Sequence, residues 1–148
     1  MAPLSAAELQ VIDELINARV SFIVIGGYAV VFHGSDRAVH DLDVWISPSA
    51  ENVARLTSAV SRLGYSLLPA TLARLQQLGG QLTLAMWNTD VLSSLEGLEF
   101  GSCFKRANEA DASGRLVMVL SRADMITTKL GSAREKDVAD VAMLSASA

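Results

Sequence analysis

The chain of 148 residues is 51% hydrophobic and 19% charged, which suits one domain with a buried core and argues against disorder. Its net charge of −4 comes without a block of Lys or Arg, so the basic surface that a nonspecific grip on DNA or RNA requires is not expected. Cys103 is the single cysteine, which excludes an internal disulfide and a Cys-rich zinc site. The longest apolar stretch, Phe22 to Phe32, is about half of a membrane span, and no basic segment followed by an apolar run opens the chain. The expectation is a cytosolic protein with no membrane segment.

Ser5-x-x-Glu8 is a capping box with Leu4 and Leu9 placed as a hydrophobic staple, and Leu9, Ile12, Leu15, Ile16 and Val20 recur at helical spacing. This predicts a helix over Ala6 to Arg19. Phe22 to Ile25 is an unbroken β-favouring run fit for a strand buried on both faces. Gly26-Gly27 turns the chain into a short helix, Tyr28 to His33, stopped at Gly34. Asp41 to Ile46 alternates as a second strand. Ser47-Pro48 reads as a helix start with proline at the first helical position. Val53, Leu56, Val60 and Leu63 form the stripe of that helix, and Gly64 fits its C-terminal end. Ala70 to Leu78 reads as a helix. Leu82 to Met86 and Asp90 to Leu92 read as strands with a break at Asn88-Thr89. Ser102 to Ala110 reads as helical, Leu116 to Leu120 as a strand, Ser121 to Lys129 as a capped helix and Glu135 to Leu144 as the last helix. This order is α/β or α+β with a mixed central sheet, in a single domain over residues 1–148.

The chemistry concentrates early. Asp41 and Asp43, at i and i+2 on an extended segment, point to the same side. Two such carboxylates suit a hard divalent cation such as Mg²⁺, or Mn²⁺, which takes oxygen ligands together with substrate phosphates. Gly26-Gly27, fourteen residues before Asp41, ends a strand and opens a helix, so backbone N–H groups approach phosphate oxygens with no Cβ in the way. These are the parts of a metal-assisted phosphoryl or nucleotidyl transferase. Neither a Walker A loop nor a Gly-x-Gly-x-x-Gly turn is present. Glu96 and Glu99 read as exposed loop acids, His40 as facing away from the acids, and Tyr28, Trp45 and Trp87 as core side chains.

Ile25-Gly26-Gly27-Tyr28-Ala29, His33-Gly34, Arg37 and Asp41-Leu42-Asp43 together resemble the nucleotidyltransferases of the polymerase-β-like superfamily. Within it the chain is most similar to the small bacterial branch that includes AbiEii-type toxin nucleotidyltransferases. Thr89-Asp90-Val91-Leu92, with Gly97 and Phe100, resembles that family's third motif. Asp124-Met125-Ile126, Lys129, Arg134, Lys136-Asp137 and Asp140 resemble its C-terminal helical motif. The resemblance implies Asp41, Asp43 and Asp90 as catalytic metal ligands. It implies Gly26, Gly27, Arg37 and Lys129 as nucleotide-binding residues. The implied reaction is Mg²⁺-dependent transfer of a nucleoside monophosphate from a nucleoside triphosphate to a hydroxyl of RNA, protein or a small molecule. Two other readings stand beside it: a protein-binding module of a toxin–antitoxin or phage-defence pair, and an antibiotic nucleotidyltransferase. Val39 stands where the family often has Thr, so the hydroxyl that would orient the loop is missing. The end at Ala148 leaves little room for an extra helical domain to hold an acceptor.

Overall fold

The structure is a computed structural model that describes residues 1–130 and 135–146, with the side chains of 1–128 and 139–146. Helix α1 spans Ala6–Asn17 and opens on the expected capping box, in which the Ser5 hydroxyl accepts from the Glu8 N–H and the Glu8 carboxylate accepts from the Ser5 N–H. It ends two residues earlier than its apolar stripe suggests, because Arg19 turns into the left-handed region at φ 59°. Strand β1, Phe22–Ile25, is buried at every position. The diglycine does not precede the next helix but forms its first two residues, in α2, Gly26–Phe32. Strand β2 is Leu42–Ile46.

Helix α3, Ala50–Arg62, is capped by Ser49, whose hydroxyl accepts from the Asn52 N–H. Pro48 therefore lies before the cap rather than inside the first turn, which corrects the expected start at Ser47-Pro48. Helix α4 is Pro69–Leu75 and strand β3 is Gln81–Leu84. A single 3-10 turn, Ala85–Trp87, and a left-handed Asn88 then lead into β4, Thr89–Leu92.

The segment expected to be helical from Ser102 to Ala110 divides in two. Helix α5, Phe100–Arg106, stops, and Asn108–Ala112 forms strand β5, paired antiparallel with β6, Arg115–Val119. Ser113 and Gly114 make the two-residue connection with φ of 51° and 91°, the geometry that matches the twist of a tight hairpin. The alanines of this stretch favour a helix, but edge pairing with β6 buries Ala110 and Ala112 instead. Helices α6, Arg122–Leu130, and α7, Glu135–Ala146, close the described chain.

The six strands among the described residues form one mixed sheet in the order β3-β4-β2-β1-β6-β5. β1 runs antiparallel to β2 and parallel to β6, and β2 runs parallel to β4. The pleat sends Leu42, Val44 and Ile46 to one face, where they are fully buried, and Asp43 to the other, where it is half-buried. The mixed α/β expectation is met, with the acids at one end of the central strands. Among the described residues no helix is long and apolar enough to cross a membrane.

Candidate metal and nucleotide site

Parallel pairing of β2 with β4 sets Asp43 directly opposite Asp90, so their side chains share a face. Asp41 lies two residues earlier, just before β2. One carboxylate oxygen from each of Asp41, Asp43 and Asp90 lies within 4.8 Å of the other two, and all three residues are half-buried. Asp90 is oriented from the neighbouring strand by the Thr83 hydroxyl, which donates to it at 2.7 Å across the β3–β4 ladder. Pairing β1 antiparallel to β2 brings the end of β1 beside Asp43, where the chain turns into α2.

That turn needs a glycine for a reason other than phosphate access alone. Gly26 has φ +65°, and a Cβ there would collide with the Asp43 carboxylate. Gly27 is close-packed too: a Cβ would lie 3.3 Å from Val39 and 3.4 Å from the Arg37 guanidinium. Both glycines line a cleft of about 740 Å³ together with the three acids. Leu92, Leu95, Leu120 and Met125 form its apolar wall, and Arg37, His40, Glu96 and Thr128 add polar groups.

Arg37 reaches across to α7 and pairs with Asp140 at 3.0 Å. Lys129 belongs to α6, but its side chain lies outside the described residues, as do those of Arg134, Lys136 and Asp137.

Several minor expectations resolve. Glu96 is exposed, at the rim of the cleft. Glu99 is exposed but structurally engaged. Its carboxylate caps α5 by accepting from the Ser102 N–H, which holds it below its ordinary pKa. His40 does not face away as expected: it lines the same cleft as the acids from an exposed position, because β2 begins only at Leu42 and strand alternation does not reach it. Trp45 is buried edge-on against Phe100. Tyr28 is buried and donates to Glu8 at 2.7 Å. Burial first, then the bond to Glu8 and the negative charges of Glu8 and Asp41, push its phenol pKa up, so it stays protonated. The sequence does not mark Thr83 as a site residue, and it marks Asn88 only as a break between strands. The signal for Thr83 is its place between Leu82 and Leu84, which sends a hydroxyl to the face opposite the core.

A family model described as a nucleotidyltransferase of unknown function matches residues 6–145. The chain belongs to this nucleotidyltransferase family. Membership implies nucleotidyl transfer as the general class of activity. Among solved structures, an antigenic nucleotidyltransferase-like protein from Paracoccidioides brasiliensis matches over 97% of this chain and 78% of its own, with 17% identity and a TM-score of 0.47. No curated protein matches the chain.

The three acids of this family member fit a divalent metal. Their oxygens are hard donors, and Mg²⁺ with ligands at about 2.1 Å spaces oxygens roughly 3 to 4.2 Å apart. Separations within 4.8 Å need only small side-chain rotations to reach that range.

Proposed function

We propose that this chain transfers a nucleoside monophosphate from a nucleoside triphosphate to a hydroxyl acceptor, with Asp41, Asp43 and Asp90 holding Mg²⁺ or Mn²⁺. The observation that carries the reading is the convergence of these carboxylates beside a glycine turn, in the lining of a cleft large enough for a nucleotide. The acceptor hydroxyl oxygen bonds the α-phosphorus and releases its proton to solvent, the bond from the α-phosphorus to the bridging oxygen breaks, and pyrophosphate leaves with its electron pair. Asp41, Asp43 and Asp90 would hold the divalent ion, which would supply positive charge to the triphosphate and lower the pKa of the attacking hydroxyl.

The chain's own groups set the geometry. Gly26 and Gly27 present backbone N–H groups to the phosphates, and the Arg37 guanidinium, held by Asp140, offsets phosphate charge. Lys129 is assigned the same role on its sequence motif. The apolar wall of Leu92, Leu95 and Met125 faces the base or sugar and excludes water. The resemblance to the AbiEii-type branch joins the reading through the C-terminal motif residue Asp140, which ties α7 to Arg37. Residues 1–148 act as one domain.

Labelled nucleoside triphosphate incubated with total RNA, protein and small-molecule pools tests this directly. Label transfers to one pool with Mg²⁺, and transfer stops with EDTA or in Asp43→Asn. Absence of transfer to every pool contradicts the reading.

A further inference from the structure

The capping-box carboxylate of α1 does more than cap. Glu8 is only 2% exposed. Its Oε1 accepts from the Ser5 N–H at 2.9 Å and from the Tyr28 hydroxyl at 2.7 Å. Its Oε2 accepts from the Asn88 side-chain amide at 3.1 Å. A cap requires only the first of these bonds.

Asn88 extends the connection to the acids. Its Nδ2 also donates to the His40 carbonyl at 2.6 Å, and its own carbonyl accepts from the Leu42 N–H at 3.0 Å. Both side-chain contacts are to oxygen acceptors, so the amide nitrogen must face them and both of its protons are engaged. Asn88 therefore grips the residue before Asp41 and the residue after it, while lying two residues ahead of Asp90. The grip matters because the β2–β4 ladder begins at Leu42 paired with Thr89, which leaves Asp41 one residue outside it. Asn88 does this from a left-handed backbone, φ 52° and ψ 41°, a conformation that asparagine accepts more readily than most residues. Tyr28, on the other arm of Glu8, directly follows Gly27.

We propose that Glu8 and Asn88 are positioning residues that set the spacing of Asp41 and Asp43 against Asp90, an inference that rests on the metal reading of those acids. The pair joins three segments far apart in sequence: the glycine turn, the loop that delivers Asp41, and the strand that delivers Asp90. Neither residue lines the cleft.

Asn88→Gly keeps the left-handed backbone and the Leu42 bond but removes both side-chain donations. Glu8→Gln keeps the size and the bonds through Oε1 but sets an amide NH₂ against that of Asn88. Ser5→Ala is the control, since it weakens α1 at its cap without touching Asn88. Mn²⁺ binding to the metal-free chain is measured by calorimetry and by electron paramagnetic resonance at about 20 °C, with thermal melts confirming that each variant is folded. Asn88→Gly and Glu8→Gln lose at least ~10-fold in Mn²⁺ affinity, the equivalent of about 1.4 kcal/mol, while Ser5→Ala keeps wild-type affinity despite a lower melting temperature. Wild-type affinity in Asn88→Gly, or an equal loss in Ser5→Ala, overturns the proposal. Failure of the wild-type chain to bind Mn²⁺ overturns the metal reading itself, a distinct result because the variants then have no affinity to lose.

Discussion

Replacing Gly26 with alanine separates two demands on that residue. The first is its φ of +65°, which costs an L-residue about 1–2 kcal/mol relative to glycine. Alanine recovers about 0.4–1 kcal/mol by restricting the unfolded chain, so backbone strain alone leaves a net loss of roughly 0–1.6 kcal/mol. The second demand is space: a Cβ at Gly26 collides with the Asp43 carboxylate. Asp43 must then leave its position, at about 0.5–1.5 kcal/mol for an off-rotamer side chain, and its oxygen moves away from Asp90. Gly64→Ala isolates the first demand, because Gly64 also has a positive φ, +86°, with nothing within 4 Å of the added carbon. Urea denaturation gives a larger loss for Gly26→Ala than for Gly64→Ala, by about 1 kcal/mol. Mn²⁺ calorimetry gives a weakened site in Gly26→Ala only. A Gly26→Ala chain that binds Mn²⁺ like wild type, or loses no more stability than Gly64→Ala, refutes the reasoning.

Thr83→Val keeps a β-branched side chain on the strand and deletes the hydroxyl that donates to Asp90. Because Thr83 is exposed, the loss is about 0.5–1 kcal/mol, roughly two- to fivefold in Mn²⁺ affinity, and Thr83→Ser restores it; unchanged calorimetry in Thr83→Val contradicts this. Cys103 is fully buried, and burial, with the nearby charge of Asp124, pushes its thiol pKa up to about 11. At about pH 8 a disulfide reagent labels it far more slowly in the native protein than in urea, and rapid native labelling would show that the thiol is accessible. Burial pushes the Asp124 carboxyl up, but its bonds to Arg106 and Ser121 outweigh burial and hold it below the usual range. A lowered folded pKa contributes stability above the unfolded value of about 4, and that stability is lost as the pH falls through the folded value. The gap in urea midpoint between wild type and Asp124→Asn therefore narrows from about pH 7 to about pH 3; a gap independent of pH sinks the assignment.

The parts of the site that sequence reveals are those set by local geometry. Asp41 and Asp43 share a side because a strand repeats every two residues, and the Ser5–Glu8 box is visible because a cap spans three residues. Asp90 stands out by its place in the motif order, but its alignment with Asp43 comes from a parallel register that no local pattern encodes. The bonds from Thr83 to Asp90 and from Glu8 to Asn88 likewise depend on which elements meet in space. Local propensity misleads from Ser102 to Ala110, where the Ser113-Gly114 turn and pairing with β6 override the helical reading. Pro48 misleads for a related reason, since Ser49 is the residue whose hydroxyl meets the free N–H of Asn52.

Nucleotide binding with and without divalent metal tests the central claim most directly. A fluorescent nucleoside triphosphate is titrated with wild-type chain and with Asp43→Asn, each in Mg²⁺ and in EDTA. Wild type binds at least ~10-fold more tightly with Mg²⁺, a gain of about 1.4 kcal/mol, and Asp43→Asn binds equally in both buffers. Wild-type affinity that is the same with and without metal, or an Mg²⁺ gain preserved in Asp43→Asn, contradicts the account.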